Sequence, residues 1–513
     1  MISKLMICRA AGRVWAAAGL AAALGGCTVG PNFSPPQAAS PAAFRAGEPG
    51  DQSRTVVGSV AVQWWQSFDD PTLTGLEERV AEQNLDVQVA TQRLLEARAQ
   101  IQIAGAASLP SLGASGSYAH ERYSSYGPFT SPPLLPFSIP AVPFNLYEAG
   151  FDANWEIDLF GGTRRSVEAA RANYAAAAAQ RRGVLLSALA ELGRDYIDLR
   201  AGQDLLSITR ENLGTAQQSL NLTEQQASAG LVSDLDVANA RAQAASIAAQ
   251  IPPLQTRITV DINAISLLLG LPPAALASEL SPARPVPPVP PVVPIGLPSE
   301  LLTRRPDVLA AEDQLHQATA EVGVAVADFY PSFNLAGNIN LQSISISQFA
   351  DIAARTYSFG PTITLPIFEG GELHGQLTLR KAQQKEAAIS YARTVLAAFH
   401  DVDNALAAYD DEQRRRVSLE EAVRQDRRAL GLAQSQYADG LTDFLEVLTA
   451  QQNVLSAEQQ LATSTAAVST DLVAIYKALG GGWQVAFPEA TAEAGAAPGG
   501  ARDVAEAVPA AAR

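Results

Sequence analysis

Apolar and polar residues alternate one by one in four short stretches of the chain. In the clearest, residues 151–159 with the sequence FDANWEIDL, every odd position is apolar and every even position is polar. This is the pattern of a strand with two unlike faces. Stretches of about 9–11 such residues can cross a bilayer as tilted strands, although a half-buried sheet in a soluble protein alternates in the same way. The predicted strands lie near 111–123, 147–159, 333–342 and 357–366.

The segments between the strands have the periodicity of long helices. Residues 162–229 contain no proline, and a helix of that length would extend about 100 Å. A first helix over 71–107 and a returning helix over 231–269 would together match it in length, with a kink at Pro252 and Pro253. Spacings of four and three, typical of a coiled-coil seam, separate Leu185, Leu189, Leu192, Tyr196 and Leu199.

One phrase of the sequence occurs twice. GLVSDLDVANA begins at Gly230 and GLTDFLEVLTA begins at Gly440, 210 residues later. Further matches extend the similarity into two repeats, each predicted as a helix, two strands, a long helix and a returning helix. The predicted organisation is a signal peptide at 1–26, a lipid-anchored extended segment at 27–69, repeat 1 at 70–271, a Pro-rich polyproline-like strap at 272–298, repeat 2 at 299–480 and a disordered tail at 481–513.

The first 27 residues have the layout of a bacterial lipoprotein signal. Lys4, Arg9 and Arg13 precede a short apolar run, and LGGC then ends at Cys27. We expect cleavage before Cys27 and attachment of lipid to its sulfur, with an ordinary secretory signal as the alternative. Cys8 would leave with the signal, so the mature chain would contain no disulfide. No later stretch of 18 apolar residues predicts a transmembrane helix.

Composition and charge exclude several classes of function. The net charge of -16 argues against nucleic acid as a partner, because a phosphate-binding surface is basic. None of the four lysines lies in a Gly-rich phosphate-binding loop, and no nucleophile motif is present. The four histidines, His120, His316, His374 and His400, lack metal-ligand spacing. We therefore expect no enzyme activity, no catalytic residue, no metal and no cofactor.

Four strands are too few to close on themselves in lipid. The smallest membrane barrels have eight strands, and an open edge in lipid leaves backbone groups without partners. If these strands enter a membrane, several copies of the chain must combine them. Two copies would supply eight strands and three would supply twelve, and the alternation itself does not choose between them.

The chain resembles the TolC/OprM-like outer-membrane efflux channels, in particular their lipoprotein branch. The motifs that carry the resemblance are CTVGPNF from Cys27, WWQSFDDPTLTGLEERV from Trp64, WEIDLFGGTRRSVEAARA from Trp155, RRPDV from Arg304 and the two Gly-Leu phrases. The resemblance implies a mainly α protein with a membrane β-barrel, in which a homotrimer forms twelve strands and a periplasmic α-helical tunnel. It also implies a periplasmic adaptor protein, an inner-membrane RND-type transporter, outer-membrane lipid and the export of toxic small molecules.

The resemblance also assigns roles to residues at the two phrases. The turns at Gly230, Leu231, Ser233, Gly440, Leu441 and Thr442 would form the periplasmic tip where the adaptor docks. Asp236, Glu446 and Tyr437 would line the periplasmic gate, although the two carboxylates also suit a solvated first helical turn. Thr442 stands where some members carry an arginine that locks the gate.

Two alternative functions remain open from the sequence. The same architecture also serves as the exit duct of type I protein secretion, although the lipoprotein signal and CTVGPNF favour efflux. A lipid-anchored coiled-coil protein without a pore is the second alternative, but it would not require four membrane-length amphipathic strands.

Overall fold

The computed structural model describes residues 28–36, 40–44, 53–124 and 142–487. The chain divides into two compact units. We call Met1–Pro36, Leu95–Ala176 and Glu312–Ser390 the strand unit, and Gln37–Leu94, Ala177–Ala311 and Tyr391–Arg513 the helical unit. None of the helices in the described ranges is both long and apolar enough to cross a membrane.

Helices make up most of the described chain, and two of them are very long. Helices α3 and α9 have 67 residues each, or about 100 Å. The helices are α1 Pro71–Gln83, α2 Leu85–Ala106, α3 Gly162–Ser228, α4 Asp234–Ala248, α5 Ile251–Leu268, α6 Ala277–Leu280, α7 Leu301–Arg304, α8 Pro306–Ala327, α9 Glu372–Ala438 and α10 Phe444–Ala478. The strands are β1 Arg54–Val56, β2 Ser111–Glu121, β3 Phe144–Glu156, β4 Val292–Pro294, β5 Ser332–Ser343 and β6 Arg355–Thr364.

The strand unit contains one four-stranded antiparallel sheet in the order β2-β3-β5-β6. Each repeat supplies one hairpin, and β3 joins β5 with Phe151 opposite Ile339. Apolar side chains on one face lie open to solvent in the single chain, including Leu112 at 75% and Phe359 at 83% exposure. Within the described residues the outer strands β2 and β6 each pair on one side only. The sheet therefore has an uncovered apolar face and two free edges.

The core of the helical unit lies around the coiled-coil seam. Leu185, Leu189, Leu192, Tyr196 and Leu199 are all fully buried there. Trp64 packs among them, with its ring stacked 5.6 Å from that of Tyr476. Apolar side chains at the a/d spacing thus stabilise long helices that propensity alone could not hold together.

The structure differs from the predicted segments in several places. The strand predicted near 147–159 spans 144–156. The chain turns after it, where the Leu159 N–H donates to the Ile157 carbonyl at 2.9 Å and Asp158 accepts from the Arg164 backbone N–H. The segment predicted as extended at 27–69 contains β1 and a turn of 3-10 helix at Trp64–Phe68. The strap at 272–298 is not uniformly polyproline-like, because it contains α6 and β4, and β4 pairs with β1.

The predicted disordered tail begins too early. Trp483 is 3% exposed and its indole N–H donates to the Arg304 carbonyl oxygen at 3.2 Å, so 481–487 belong to the packed helical unit. The remainder of the tail, the signal peptide and Cys27 lie outside the described residues.

Two predicted helices are interrupted. The first is broken at Asn84, between α1 and α2. The returning helix of repeat 1 is broken between α4 and α5, where the sequence predicts a kink at Pro252 and Pro253, and α10 of repeat 2 is continuous over 35 residues. Two adjacent prolines cannot donate backbone hydrogen bonds, which accounts for the difference between the copies.

Candidate functional site at the hairpin tips

The turn between α3 and α4 is a glycine-terminated helix end. Gly230 has φ of 75°, and its N–H donates to the Ala227 carbonyl at 2.9 Å. The Leu231 N–H reaches back to the Gln226 carbonyl at 2.9 Å. This is the hydrogen-bond pattern of a Schellman motif, in which a left-handed residue ends the helix. We call residues 230–236 the first tip.

The turn between α9 and α10 repeats the same geometry. Gly440 has φ of 72°, the Gly440 N–H donates to the Tyr437 carbonyl at 3.0 Å, and the Leu441 N–H donates to the Gln436 carbonyl at 2.8 Å. Asp443 then caps α10 by accepting from the Leu445 N–H at 3.1 Å. We call residues 440–446 the second tip. The repeated phrase therefore encodes two equivalent helix reversals.

Both tips expose leucines at matching positions. Leu231 and Leu441 are 73% and 77% exposed, and one helical turn further Leu235 and Leu445 are 67% and 59% exposed. Two leucines this exposed within five residues of each turn are typical of an interaction surface. The sequence assigns Leu231 and Leu441 to the docking turns. Leu235 and Leu445 hold the sixth place of the two phrases, 210 residues apart, and this match is the signal that adds them to the site.

Asp236 is engaged within the first tip. One of its carboxylate oxygens accepts from the Ser233 backbone N–H at 3.1 Å and from the Ser233 hydroxyl at 2.8 Å. Together with the Asp236 N–H contact to the Ser233 hydroxyl, these bonds form a capping box. Asp236, named from the sequence as a gate residue, therefore also completes the cap of α4.

Glu446 and Thr442 have fewer local contacts. Glu446 is exposed, and its backbone N–H lies 3.4 Å from the Asp443 carboxylate. Thr442 is half-buried, and in the described part of the chain its hydroxyl forms no hydrogen bond. At matching positions, Glu446 is thus free to face solvent or a neighbouring chain while Asp236 is held in its cap.

Tyr437 lies in the packing between the two hairpins. It is 5% exposed, its hydroxyl donates to the Thr223 hydroxyl at 3.4 Å, and its ring lies 5.5 Å from that of Phe444. Ala240 and Val447 complete this small cluster. Tyr437 therefore joins α3, α4, α9 and α10 just above the tips.

Polar side chains continue this packing away from the tips. The Asn212 amide donates to Glu458 at 2.7 Å and the Gln451 amide donates to Ser219 at 2.7 Å. Seven residues separate 212 from 219 and 451 from 458, so the contacts follow the heptad. Sequence reasoning missed this ladder, because polar residues at seam positions resemble surface residues.

Comparison with known proteins supplies the family. A sequence profile described as Outer membrane efflux protein matches residues 76–271 and 297–481. Nodulation protein T of Rhizobium leguminosarum bv. viciae is 33% identical over 486 residues, covering 94% of this chain and 97% of that protein. Probable efflux pump outer membrane protein TtgC of Pseudomonas putida is 32% identical, covering 90% of this chain and 93% of that protein.

A solved structure agrees with the sequence comparisons. The outer-membrane channel OprN superposes with a TM-score of 0.80 at 37% identity, over 89% of this chain and all of that chain. The two matched segments coincide with the two repeats that carry the paired tips and hairpins. The chain therefore belongs to the outer membrane efflux protein family, and it is an outer-membrane efflux channel.

Proposed function

We propose that the chain is the exit duct of a tripartite efflux pump. Three copies assemble into a passive conduit that carries toxic small molecules from an inner-membrane RND-type transporter and its periplasmic adaptor to the exterior. The energy comes from the transporter, and this chain contributes the path.

The free edges and bare apolar face of the sheet carry the proposal. A four-stranded sheet with unpaired outer strands leaves backbone groups unsatisfied in lipid. Pairing β6 of one copy with β2 of the next removes every edge, and three copies give a closed wall of twelve strands. The exposed Leu112, Tyr357 and Phe359 then face lipid, and the polar alternate positions face the interior. The resemblance to trimeric channels favours three copies over two.

Anchoring through Cys27 is the second part of the proposal. The LGGC sequence after a short apolar run supports cleavage before Cys27 and acylation of its sulfur. One acyl chain alone binds a membrane weakly. On a protein whose strands already form a closed wall in the outer membrane, acyl chains add to the attachment at that membrane.

The tips supply the docking end. Leu231, Leu235, Leu441 and Leu445 lie exposed where each hairpin reverses, and three copies would present twelve of them in a ring. We propose that the adaptor buries these leucines around the Gly230 and Gly440 turns. Asp236 and Glu446 would form an acidic constriction inside the ring, with Tyr437 packed directly behind it.

The names of similar proteins support a class of exported molecule. Similar proteins are named for antibiotic, toluene and solvent efflux. We propose small toxic organic molecules as the exported class.

Planar bilayers test the constriction. Replacing Asp236 or Glu446 with Ala should raise the single-channel conductance, because a ring of charge and its bound counterions is removed. Asp236→Asn separates charge from capping, since the carboxamide oxygen can still accept from the Ser233 backbone N–H. Asp234→Asn, which changes an exposed neighbouring carboxylate, should leave the current unchanged. Equal currents and ion selectivity in all variants would refute the acidic constriction.

A deletion strain separates the alternative functions. Loss of the gene should increase sensitivity to toxic small molecules without a defect in secreted proteins. A secretion defect would instead indicate a type I exit duct. Purified protein that forms trimers but conducts no ions would indicate a tether.

A further inference from the structure

The segment directly after Cys27 is bound to the strand unit by its backbone. The Val29 N–H donates to the Phe160 carbonyl at 3.1 Å, where the chain passes from β3 to α3. Gly30 has φ of 86°, and a side chain there would come within 2.5 Å of the Gly323 Cα on α8. We call residues 28–33, TVGPNF, the docking segment. The path of the docking segment requires glycine at position 30, because its backbone touches the backbone of α8 at Gly323.

One buried guanidinium binds the docking segment at three places. The Arg165 side chain is 3% exposed and donates to the Val29 carbonyl at 3.1 Å, to the Gly30 carbonyl at 3.4 Å and to the Asn32 side-chain oxygen at 2.7 Å. Its remaining contact is with Glu168 at 2.7 Å. A planar guanidinium can hold this set of acceptors, whereas an ammonium group or an amide cannot.

The far end of the docking segment is fixed to the other repeat. The Phe33 ring stacks on the His316 ring with centroids 4.4 Å apart and planes 11° apart. The His316 Nε2 lies 3.0 Å from the second oxygen of Glu168. Arg165, Glu168 and His316 thus form a connected set that joins α3 of repeat 1 to α8 of repeat 2 across the docking segment. Neither the conduit nor the tips account for this arrangement.

We propose that the docking segment sets the level of the lipid anchor relative to the membrane strands, with Arg165 as its positioning residue. Thr28 lies against Gly161, five residues beyond the end of β3. Consecutive Cα atoms are about 3.8 Å apart, so a lipid attached one residue before Thr28 is tethered close to Thr28. The acyl chains and the strands then enter one leaflet together. This inference relies on acylation of Cys27, which belongs to the proposed function.

Hydrogen exchange tests the role of Arg165. In the purified mature protein, Arg165→Gln should accelerate amide exchange in a peptide covering 28–36 by about tenfold or more, because bonds to a charged donor are lost. Arg164→Gln is the matched control, since Arg164 is exposed and pairs with Asp158 instead. Equal exchange in the two variants would overturn the assignment.

A crosslink distinguishes docking from general support of the fold. Phe33→Cys with His316→Cys, joined by a short bifunctional thiol reagent, should restore slow exchange at 28–36 in the Arg165→Gln background. Acylation blocks the thiol of Cys27, so the engineered pair reacts alone. Continued fast exchange in 28–36 after complete crosslinking would show that Arg165 acts elsewhere.

Two insertions test the level of the anchor. Thr-Gly-Ser inserted between Cys27 and Thr28 keeps Thr after the cysteine but lengthens the tether, and it should slow the appearance of heat-resistant trimers in the outer membrane several-fold. The same insertion between Phe33 and Ser34 should have no such effect. Equal rates would reject the inference. Mass spectrometry of the wild-type N-terminal peptide checks acylation separately, and a peptide without lipid would refute the anchor while leaving the exchange results intact.

Discussion

At the scale of single residues, Glu77 is the least expected side chain in the helical unit. It is fully buried on α1 near Gly193 of α3, and within the described residues neither carboxylate oxygen has a hydrogen-bond partner. Burial raises the pKa of Glu77 well above its usual value. The folded protein therefore keeps a proton that the unfolded chain releases.

This protonation predicts a pH-dependent stability. Because the folded pKa lies above the unfolded value near 4.5, the wild type loses stability as the pH rises above about 4.5. The Glu77→Gln variant cannot ionise at this position. The difference between its melting temperature and that of the wild type should be smallest near pH 4, and the variant should gain on the wild type toward pH 8. An unpaired buried polar group costs roughly 1–3 kcal/mol, which sets the expected scale. Exposed Glu78→Gln is the control, and identical pH profiles for Glu77→Gln and wild type would contradict the argument.

At the scale of elements, the two repeats form equivalent contacts with different residues. The Asn84 amide donates to the Leu268 carbonyl at 2.8 Å, and Arg305 donates to the Ala478 carbonyl at 3.2 Å. Arg305 lies 221 residues after Asn84, and Ala478 lies 210 residues after Leu268, so the two pairs occupy matching positions in the repeats. Both close the end of a returning helix, beside Gly270 and Gly480 at φ of 68° and 69°.

These contacts show what the sequence could and could not predict. Helical periodicity, alternation and the repeat predicted the long helices, the hairpins and the tips, because each signal is local or recurs at a fixed spacing. The break at Asn84 depends on its carboxamide, which caps the Val87 N–H and binds Leu268, 184 residues away. The contacts of Arg165 and the polar ladder likewise depend on partners that no sequence window contains.

The tip glycines lead to a second prediction. Gly230→Ala and Gly440→Ala should each destabilise the protein by about 1–2 kcal/mol, because a left-handed residue with a Cβ is strained. Gly214 and Gly431 lie within α3 and α9, and no heavy atom lies within 4 Å of a Cβ added at either position. Gly214→Ala and Gly431→Ala should therefore each stabilise the folded protein by about 0.5–1 kcal/mol. Denaturant unfolding followed by circular dichroism measures both pairs. If alanine changed the free energy of unfolding in the same direction at the tips and within the helices, the tip glycines would not be held in the left-handed conformation.

At the scale of the whole molecule, the alternation has meaning only in an assembly. A single chain exposes Phe359 at 83% and leaves β2 and β6 with one partner each. Soluble monomers seldom expose a contiguous apolar sheet face of this kind. The repeat supplies two hairpins per copy, and copies that combine their hairpins cover the edges while lipid covers the apolar face.

Neighbouring positions on β6 test which face meets lipid. Phe359→Lys places a charge on the apolar face, where it should cost roughly 2–4 kcal/mol per copy near the bilayer centre and strongly reduce the trimer recovered in outer membranes. Ser358→Lys places the same charge one residue earlier on the opposite face, where water inside the conduit can solvate it, so trimers should persist with altered ion selectivity. Immunoblots of membrane fractions and bilayer currents measure the two outcomes. If Ser358→Lys abolished assembly while Phe359→Lys was tolerated, the faces would be reversed and the closed wall of twelve strands would be wrong.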